Sequence, residues 1–149
     1  MPYESNYYLD TSALVKRYVE EPYTKVVDDI FSEAYRGVSR ISLSYWNIGE
    51  SIVVFDKYQR RIGLNGRQLA KNMLREMKTL SKLQMVKIMG ITPRILSESI
   101  RIILKDHIYL ADALQIPSAK KTKATSFVTG DRKLAEIAKK KGLKTIYLG

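Results

Sequence analysis

Short apolar runs alternate with longer amphipathic stretches along this chain, and that alternation limits its fold more than any other feature. Tyr7-Tyr8-Leu9, Met85-Val86-Lys87-Ile88 and Ser126-Phe127-Val128-Thr129 read as strands. Between them, apolar residues recur at three- and four-residue spacing, the period of a helix. Strands joined through helices pair in parallel, and a parallel sheet must be covered on both faces. The expected fold class is therefore α/β: a three-layer α/β/α domain around a short, mainly parallel central sheet. With 149 residues, no repeats and no Pro/Gly-rich linker, the chain reads as a single domain, 1–149. Folds of this class bind ligands beyond the carboxyl ends of their strands.

Local signals set the expected boundaries. A strand over 6–9 is followed by a helix from 11 to about 20, opened by Asp10-Thr11-Ser12 and broken by Pro22. A second helix over 23–35 places Val26, Val27, Ile30 and Phe31 on one side. Gly37 opens a strand over 37–41, and Ser42 or Ser44 caps a long helix to 62. Gly63 and Gly66 flank the turn into a helix ending near 83, and Thr92-Pro93 starts the helix after the strand at 85–88. A helix over 108–120, a strand over 124–129, a helix over 131–141 and a strand over 144–148 complete the order.

Against this frame, four acids stand out: Asp10, Glu50, Asp112 and Asp131. Asp10 and Asp131 each follow a strand and precede a helix, where Asp is a favoured cap worth about 1 kcal/mol; the same position also lies at the strand end where ligands bind. Glu50 completes a helical stripe with Leu43, Trp46, Val53 and Val54, with Ser51 as its solvent-side neighbour. Asp112 sits in Ile108-Tyr109-Leu110-Ala111-Asp112-Ala113-Leu114-Gln115-Ile116, apolar nearly all round, the pattern of a buried helix. An unpaired buried carboxylate costs several kcal/mol. Acids drawn together from distant parts of a chain fit a shared hard cation, with a salt bridge to a buried base as the plainer alternative. Ser12 and Thr129, two residues from Asp10 and Asp131, carry hydroxyls suited to orienting those carboxylates, or to ordinary capping. Asn47, one turn before Glu50, is placed to orient it.

Charge narrows the partner. Lys plus Arg is 26 against 15 acids, a net +11, with clusters at Lys16-Arg17, Arg60-Arg61, Lys120-Lys121 with Lys123, and Lys139-Lys140-Lys141. The excess reads as an electrostatic footprint for nucleic acid, or as solvated helix faces. No cysteine and one histidine, His107, exclude thiol chemistry and thiolate zinc sites and leave oxygen ligands, which favour Mg²⁺ or Mn²⁺. No run approaches the ~20 apolar residues of a membrane span, and the N-terminus lacks a signal-peptide pattern. The expected protein is soluble and cytoplasmic.

Taken in order, these residues resemble a PIN-domain ribonuclease of the VapC toxin type. Tyr8-Leu9-Asp10-Thr11-Ser12-Ala13-Leu14-Val15-Lys16-Arg17-Tyr18 is similar to that family's first acidic motif, and Glu50 in the long third helix to its second. Tyr109-Leu110-Ala111-Asp112-Ala113-Leu114-Gln115-Ile116 resembles the third, and Phe127-Val128-Thr129-Gly130-Asp131-Arg132-Lys133-Leu134 the fourth. Gly142-Leu143-Lys144-Thr145-Ile146 closes the pattern, so the likeness covers essentially the whole chain. Pro117 departs from it, standing where the family usually has a small helix former, and predicts a kink after Asp112.

The resemblance implies a PIN-like fold and an endoribonuclease whose Asp10, Glu50, Asp112 and Asp131 hold one or two Mg²⁺ or Mn²⁺ ions. It also implies a small antitoxin partner and a homodimer. For the latter the helices at 43–62 and 67–83 offer Val53, Val54, Phe55, Leu69, Met73, Leu74, Met77 and Leu80 to both core and interface. Two other readings remain. A phosphatase of the haloacid dehalogenase type begins like Asp10-Thr11-Ser12 but needs a second Asp where Ser12 stands. A nucleic-acid-binding or scaffold module would share the fold with little or no turnover.

Overall fold

The computed structural model describes residues 3–149. Its elements run β1 (Ser5–Leu9), α1 (Thr11–Val15), α2 (Thr24–Tyr35), β2 (Ser39–Ser44), α3 (Tyr45–Ile62), α4 (Gly66–Lys82), β3 (Val86–Met89), α5 (Pro93–Asp106), α6 (Leu110–Ala113), α7 (Gln115–Lys121), β4 (Ser126–Thr129), α8 (Arg132–Lys140) and β5 (Thr145–Tyr147). The sheet order is β3-β2-β1-β4-β5. Every pairing is parallel, with Tyr7 opposite Ile41 on one side of β1 and opposite Ser126 on the other.

Strand alternation divides the core between the two faces of the sheet. Leu9, Ile41, Leu43 and Val128 pack with α1–α4 through Leu14, Phe31, Phe55, Met73 and Leu80. On the other face, Tyr8 and Phe127 stack with ring centroids 5.7 Å apart beneath Ile102, Ile116, Leu134 and Ile137 of α5, α7 and α8. The three-layer α/β/α architecture follows, with a sheet parallel throughout.

Capping matches the sequence where the cap is local. Ser44 accepts the Trp46 N–H and forms a capping box with Asn47. Thr92 caps α5 with Pro93 at its first turn, and Gly63 takes φ 75° to end α3. Gly66 lets α4 start against α3, because a Cβ there would meet the Phe55 carbonyl oxygen at 2.7 Å.

Three expectations are corrected. The helix from 11 to 20 stops at Val15, because the Thr24 hydroxyl donates to the carbonyls of Lys16 (2.9 Å) and Val19 (3.3 Å) and closes a turn there. The helix over 108–120 becomes α6 and α7. Pro117 has no N–H to offer Ala113, so the ladder breaks at Leu114 although its backbone stays helical (φ −58°, ψ −28°). Third, α3 is rotated from the predicted face. It buries Asn47, Ser51 and Phe55, while Leu43 belongs to β2, and Trp46 and Val53 are 41% and 60% exposed.

Smaller adjustments follow the same logic. Val26 faces solvent while Val27, Ile30 and Phe31 are buried. Of the residues proposed to serve core and interface, Phe55, Met73, Met77 and Leu80 are buried, and Val53 and Leu74 are exposed. His107 is structural: it ends α5 in the left-handed region at φ 57°.

Candidate active site

In the order β3-β2-β1-β4-β5, the chain runs from β1 outward through β2 to β3, then crosses back to β4 on the other side. The carboxyl ends of β1 and β4 therefore form the switch point where such sheets bind ligands. Asp10 immediately follows β1, and Asp131 lies just beyond β4. Both are helix caps as well: Asp10 Oδ1 accepts the Ala13 N–H at 2.9 Å, and Asp131 Oδ1 the Leu134 N–H at 3.0 Å.

The hydroxyls of Ser12 and Thr129 tie these two turns together. Ser12 Oγ donates to Asp10 Oδ1 at 2.6 Å and accepts the Gly130 N–H at 2.8 Å. Thr129 Oγ1 donates to Asp10 Oδ2 and accepts the Asp131 N–H at 3.0 Å. Both Asp10 oxygens are thus fixed in direction. The approach is close, since a Cβ on Gly130 would sit 3.3 Å from Ser12 Oγ.

Glu50 and Asp112 enter from α3 and α6. Both are half-buried on the pocket wall, where the sequence pattern pointed to full burial. Each acid faces the cavity rather than the core behind it. Thr11 Oγ1 donates to Glu50 Oε1 at 2.7 Å. Behind Thr11, Asn47 Nδ2 donates to Thr11 Oγ1 at 3.0 Å and to Gln115 Oε1 at 2.9 Å. Tyr8 Oη donates to Gln115 Oε1 at 2.8 Å, and burial pushes its phenol far above its ordinary pKa, so it stays a donor. Asn47 reaches Glu50 only through Thr11 among the described hydrogen bonds.

All four acids line one cavity of about 340 Å³, together with Thr11, Ser12, Lys16, Glu21 and Gln115. Among the described residues, Lys16 is the one basic side chain of the lining, and it is held by Glu21 at 3.4 Å. Burial pushes the Asp10 carboxyl up to about 6, against its hydrogen bonds from Ser12, Thr129 and Ala13, and the Asp131 charge adds to the rise. Asp112 is raised by partial burial and by the charges of Asp131 and Glu50, with Lys133 opposing. Among the described residues, no three of these acids converge into a ready-made metal cluster. The donor set nevertheless fits a hard divalent cation: it is all oxygen, Asp10 is pre-oriented, and Asp10 and Asp112 both carry like-charge repulsion that a cation would relieve.

A model of the PIN domain family matches residues 7–140. The chain belongs to the PIN domain family. PIN domains are generally nucleases. Among solved structures, the chain is similar to PAE2754 from Pyrobaculum aerophilum (TM-score 0.66, 20% identity, 95% of this chain and 89% of that one). It is also similar to VapC20 from Mycobacterium tuberculosis, a sarcin-ricin loop cleaving toxin (0.63, 12%, 88% and 94%). VapBC2 from Rickettsia felis, bound to a DNA fragment from its promoter, aligns at 0.62 and 14% over 97% of this chain and 99% of that one. At such identities the likeness concerns the fold. No curated protein matches the chain.

Sequence reasoning overlooked four polar residues of this PIN domain's pocket and its floor, Tyr8, Thr11, Glu21 and Gln115, and placed Lys16 only in a basic cluster. Gln115 carried a readable signal, a long polar side chain between Leu114 and Ile116. Tyr8, part of a strand in the sequence pattern, is also a fully buried core residue.

Proposed function

We propose that this PIN domain, read as a single domain over 1–149, is a metal-dependent endoribonuclease and the toxin of a toxin–antitoxin pair. The observation that carries the reading is the meeting of Asp10, Glu50, Asp112 and Asp131 in one cavity at the switch point of a parallel sheet. The net charge of +11 supports a polyanionic substrate.

In this reading Asp10 and Asp112 hold the cation, Mg²⁺ or Mn²⁺, and Glu50 and Asp131 complete the site directly or through waters. A divalent ion bound there supplies Lewis acidity, which makes a water nucleophilic near neutral pH and draws charge from the phosphate. Ser12 and Thr129 keep the Asp10 oxygens aimed at the cavity, while Thr11, backed by Asn47 and Gln115, does the same for Glu50. Lys16 offers an ammonium to a non-bridging phosphate oxygen. Attack by water forms a new P–O bond, the bond to O3′ breaks, and a proton passes to O3′. The products carry 5′-phosphate and 3′-hydroxyl ends.

An antitoxin partner and a homodimer follow from the resemblance to VapC-type toxins. A groove of about 540 Å³ lined by Tyr45, Trp46, Gly49, Val53 and Ile91 shares Glu50 with the acidic cavity, and it supports a partner segment seated beside the site. End-group analysis of cut RNA tests the chemistry. Fragments with 5′-phosphate support it, and 2′,3′-cyclic phosphate ends refute it. Light scattering at micromolar concentration tests the dimer.

A further inference from the structure

At the amino-terminal end of the same strands, away from the four site carboxylates, the protein gathers four basic side chains around a single acid, Glu4, among the described residues. Arg40 of β2, Lys87 of β3, Lys121 at the end of α7 and Lys123 just after it line one hollow of about 370 Å³. Along β1, from Asn6 beside this hollow to Asp10, the backbone covers about 13 Å at ~3.3 Å per residue. The hollow and the acidic cavity therefore occupy opposite ends of the sheet.

The basic clusters elsewhere are mostly engaged. Lys16 pairs with Glu21, Arg17 with Glu76 and Asp28, Arg60 with Asp56, and Lys140 and Lys141 with Asp106. Among the described residues, none of Arg40, Lys87, Lys121 and Lys123 has a carboxylate within ion-pair distance, although Glu4 lines the same hollow.

Arg40 makes the contrast sharpest. The other partly buried arginine, Arg17, gives Nε and Nη2 to Glu76 at 2.9 Å each and Nη1 to Asp28 at 2.9 Å. Arg40 gives Nη1 to the Tyr3 hydroxyl at 3.1 Å and lies over the Tyr3 ring at 5.6 Å, but its enclosed Nε has no acceptor among the described residues. A charged donor shut away from water without a partner is costly, and an incoming anion would satisfy it. The dipole of a helix carboxyl end accounts for lysines near the end of α7. It does not account for Arg40 and Lys87, which project from neighbouring strands. A second hollow continues past Arg40 and Lys87 toward Ser81 and Gln84, so this pair is open to a ligand longer than a single ion.

We propose that this hollow is a phosphate-binding site separate from the acidic cavity. The planar guanidinium of Arg40 presents donors that match phosphate oxygens, and Lys87, Lys121 and Lys123 neutralise the charge. The phosphate belongs either to a nucleic-acid backbone or to a free phosphate ester. The site stands whether or not the acidic cavity cuts RNA.

The test follows the Arg40 Nε–H resonance by NMR as inorganic phosphate is added in EDTA at constant ionic strength. In the full chain the resonance shifts and saturates in the millimolar range, and chloride gives no such shift. The Lys87→Gln/Lys121→Gln double variant leaves Arg40 and its Tyr3 contact in place; it weakens phosphate binding about tenfold or more. Arg40→Gln abolishes binding if it folds. A short single-stranded RNA that displaces the phosphate assigns the site to a nucleic-acid backbone, and one that fails to displace it assigns the site to a free phosphate ester. A shift that never saturates, or one undiminished in the double variant, overturns the proposal.

Discussion

Thr129 and Asp10, 119 residues apart, are joined by a hydrogen bond from the Thr129 hydroxyl to Asp10 Oδ2, and the same oxygen of Thr129 accepts the backbone N–H of Asp131 at 3.0 Å. One hydroxyl thus couples two of the four acids across the boundary between β1 and β4. Thr129→Val keeps the shape and removes both bonds. The expected cost is about 1–3 kcal/mol, from two buried polar groups left unsatisfied. Because the Thr129 bond lowers the Asp10 pKa, its loss moves that pKa further up from about 6. Urea unfolding and carboxyl-carbon NMR titration check the two effects; an unchanged or lower Asp10 pKa would contradict them.

Asp10 also sets a pH dependence. Its carboxyl is raised from 3.8 to about 6, so the folded state holds a proton that the unfolded chain releases between those values. Stability without cation therefore falls as pH rises through that window. The gap of about 2 units corresponds to about 3 kcal/mol at ~1.4 kcal/mol per unit. Asp10→Asn keeps the cap, because Asn caps as well as Asp, and should flatten the dependence. Cation affinity runs the opposite way, weakening below pH ~6 as protons compete. Unfolding curves in EDTA from pH 4 to 8, with and without Mn²⁺, measure both.

Glu76 acts with the opposite sign. Burial raises its carboxyl, but the hydrogen bonds from Arg17, Tyr35 and Tyr18 and the Arg17 charge outweigh burial and hold it below its ordinary value. Its contribution is present above the unfolded pKa and is lost as pH falls through the folded one. Glu76→Gln leaves Arg17, which also lies over Phe31 at 4.7 Å, with Asp28 as its remaining carboxylate, and should cost about 2 kcal/mol at pH 7. Thermal unfolding at pH 7 and pH 3 should show a difference between variant and parent that shrinks in acid.

Thr11 is expected to matter through Glu50. Thr11→Val removes the 2.7 Å bond to Glu50 Oε1 and leaves the Asn47 amide one acceptor short. Oriented partners of this kind are typically worth about 10–100-fold in metal affinity or activity. Calorimetric Mn²⁺ titration of the variant beside its parent measures this, and an unchanged affinity would show that Thr11 does not position Glu50.

Legibility in the sequence followed the range of the interactions. The strand-to-helix turns at Asp10 and Asp131 were readable because cap, strand end and acid lie within a few adjacent residues. The face of α3 was not. Trp46 and Val53 mimic a core stripe, while the side that is buried carries Asn47 and Ser51. Asn47 is satisfied there by Thr11 and Gln115, contacts 36 and 68 residues away. The early end of α1 depends likewise on Thr24, eight residues beyond Lys16. Pro117 did announce the break before α7, yet its placement at Leu114 emerged only from the packed helices.

RNA cleavage by the purified protein with Mn²⁺, Mg²⁺ or EDTA, beside Asp10→Asn and Asp112→Asn, tests the central claim most directly. Asparagine is close in shape to the native side chain and at position 10 preserves the cap, so loss of activity there reports on the carboxylates. The account predicts cutting that requires the divalent ion, stops in EDTA and falls in both variants by at least about 100-fold. Cutting that persists in EDTA, or in both variants, would contradict it.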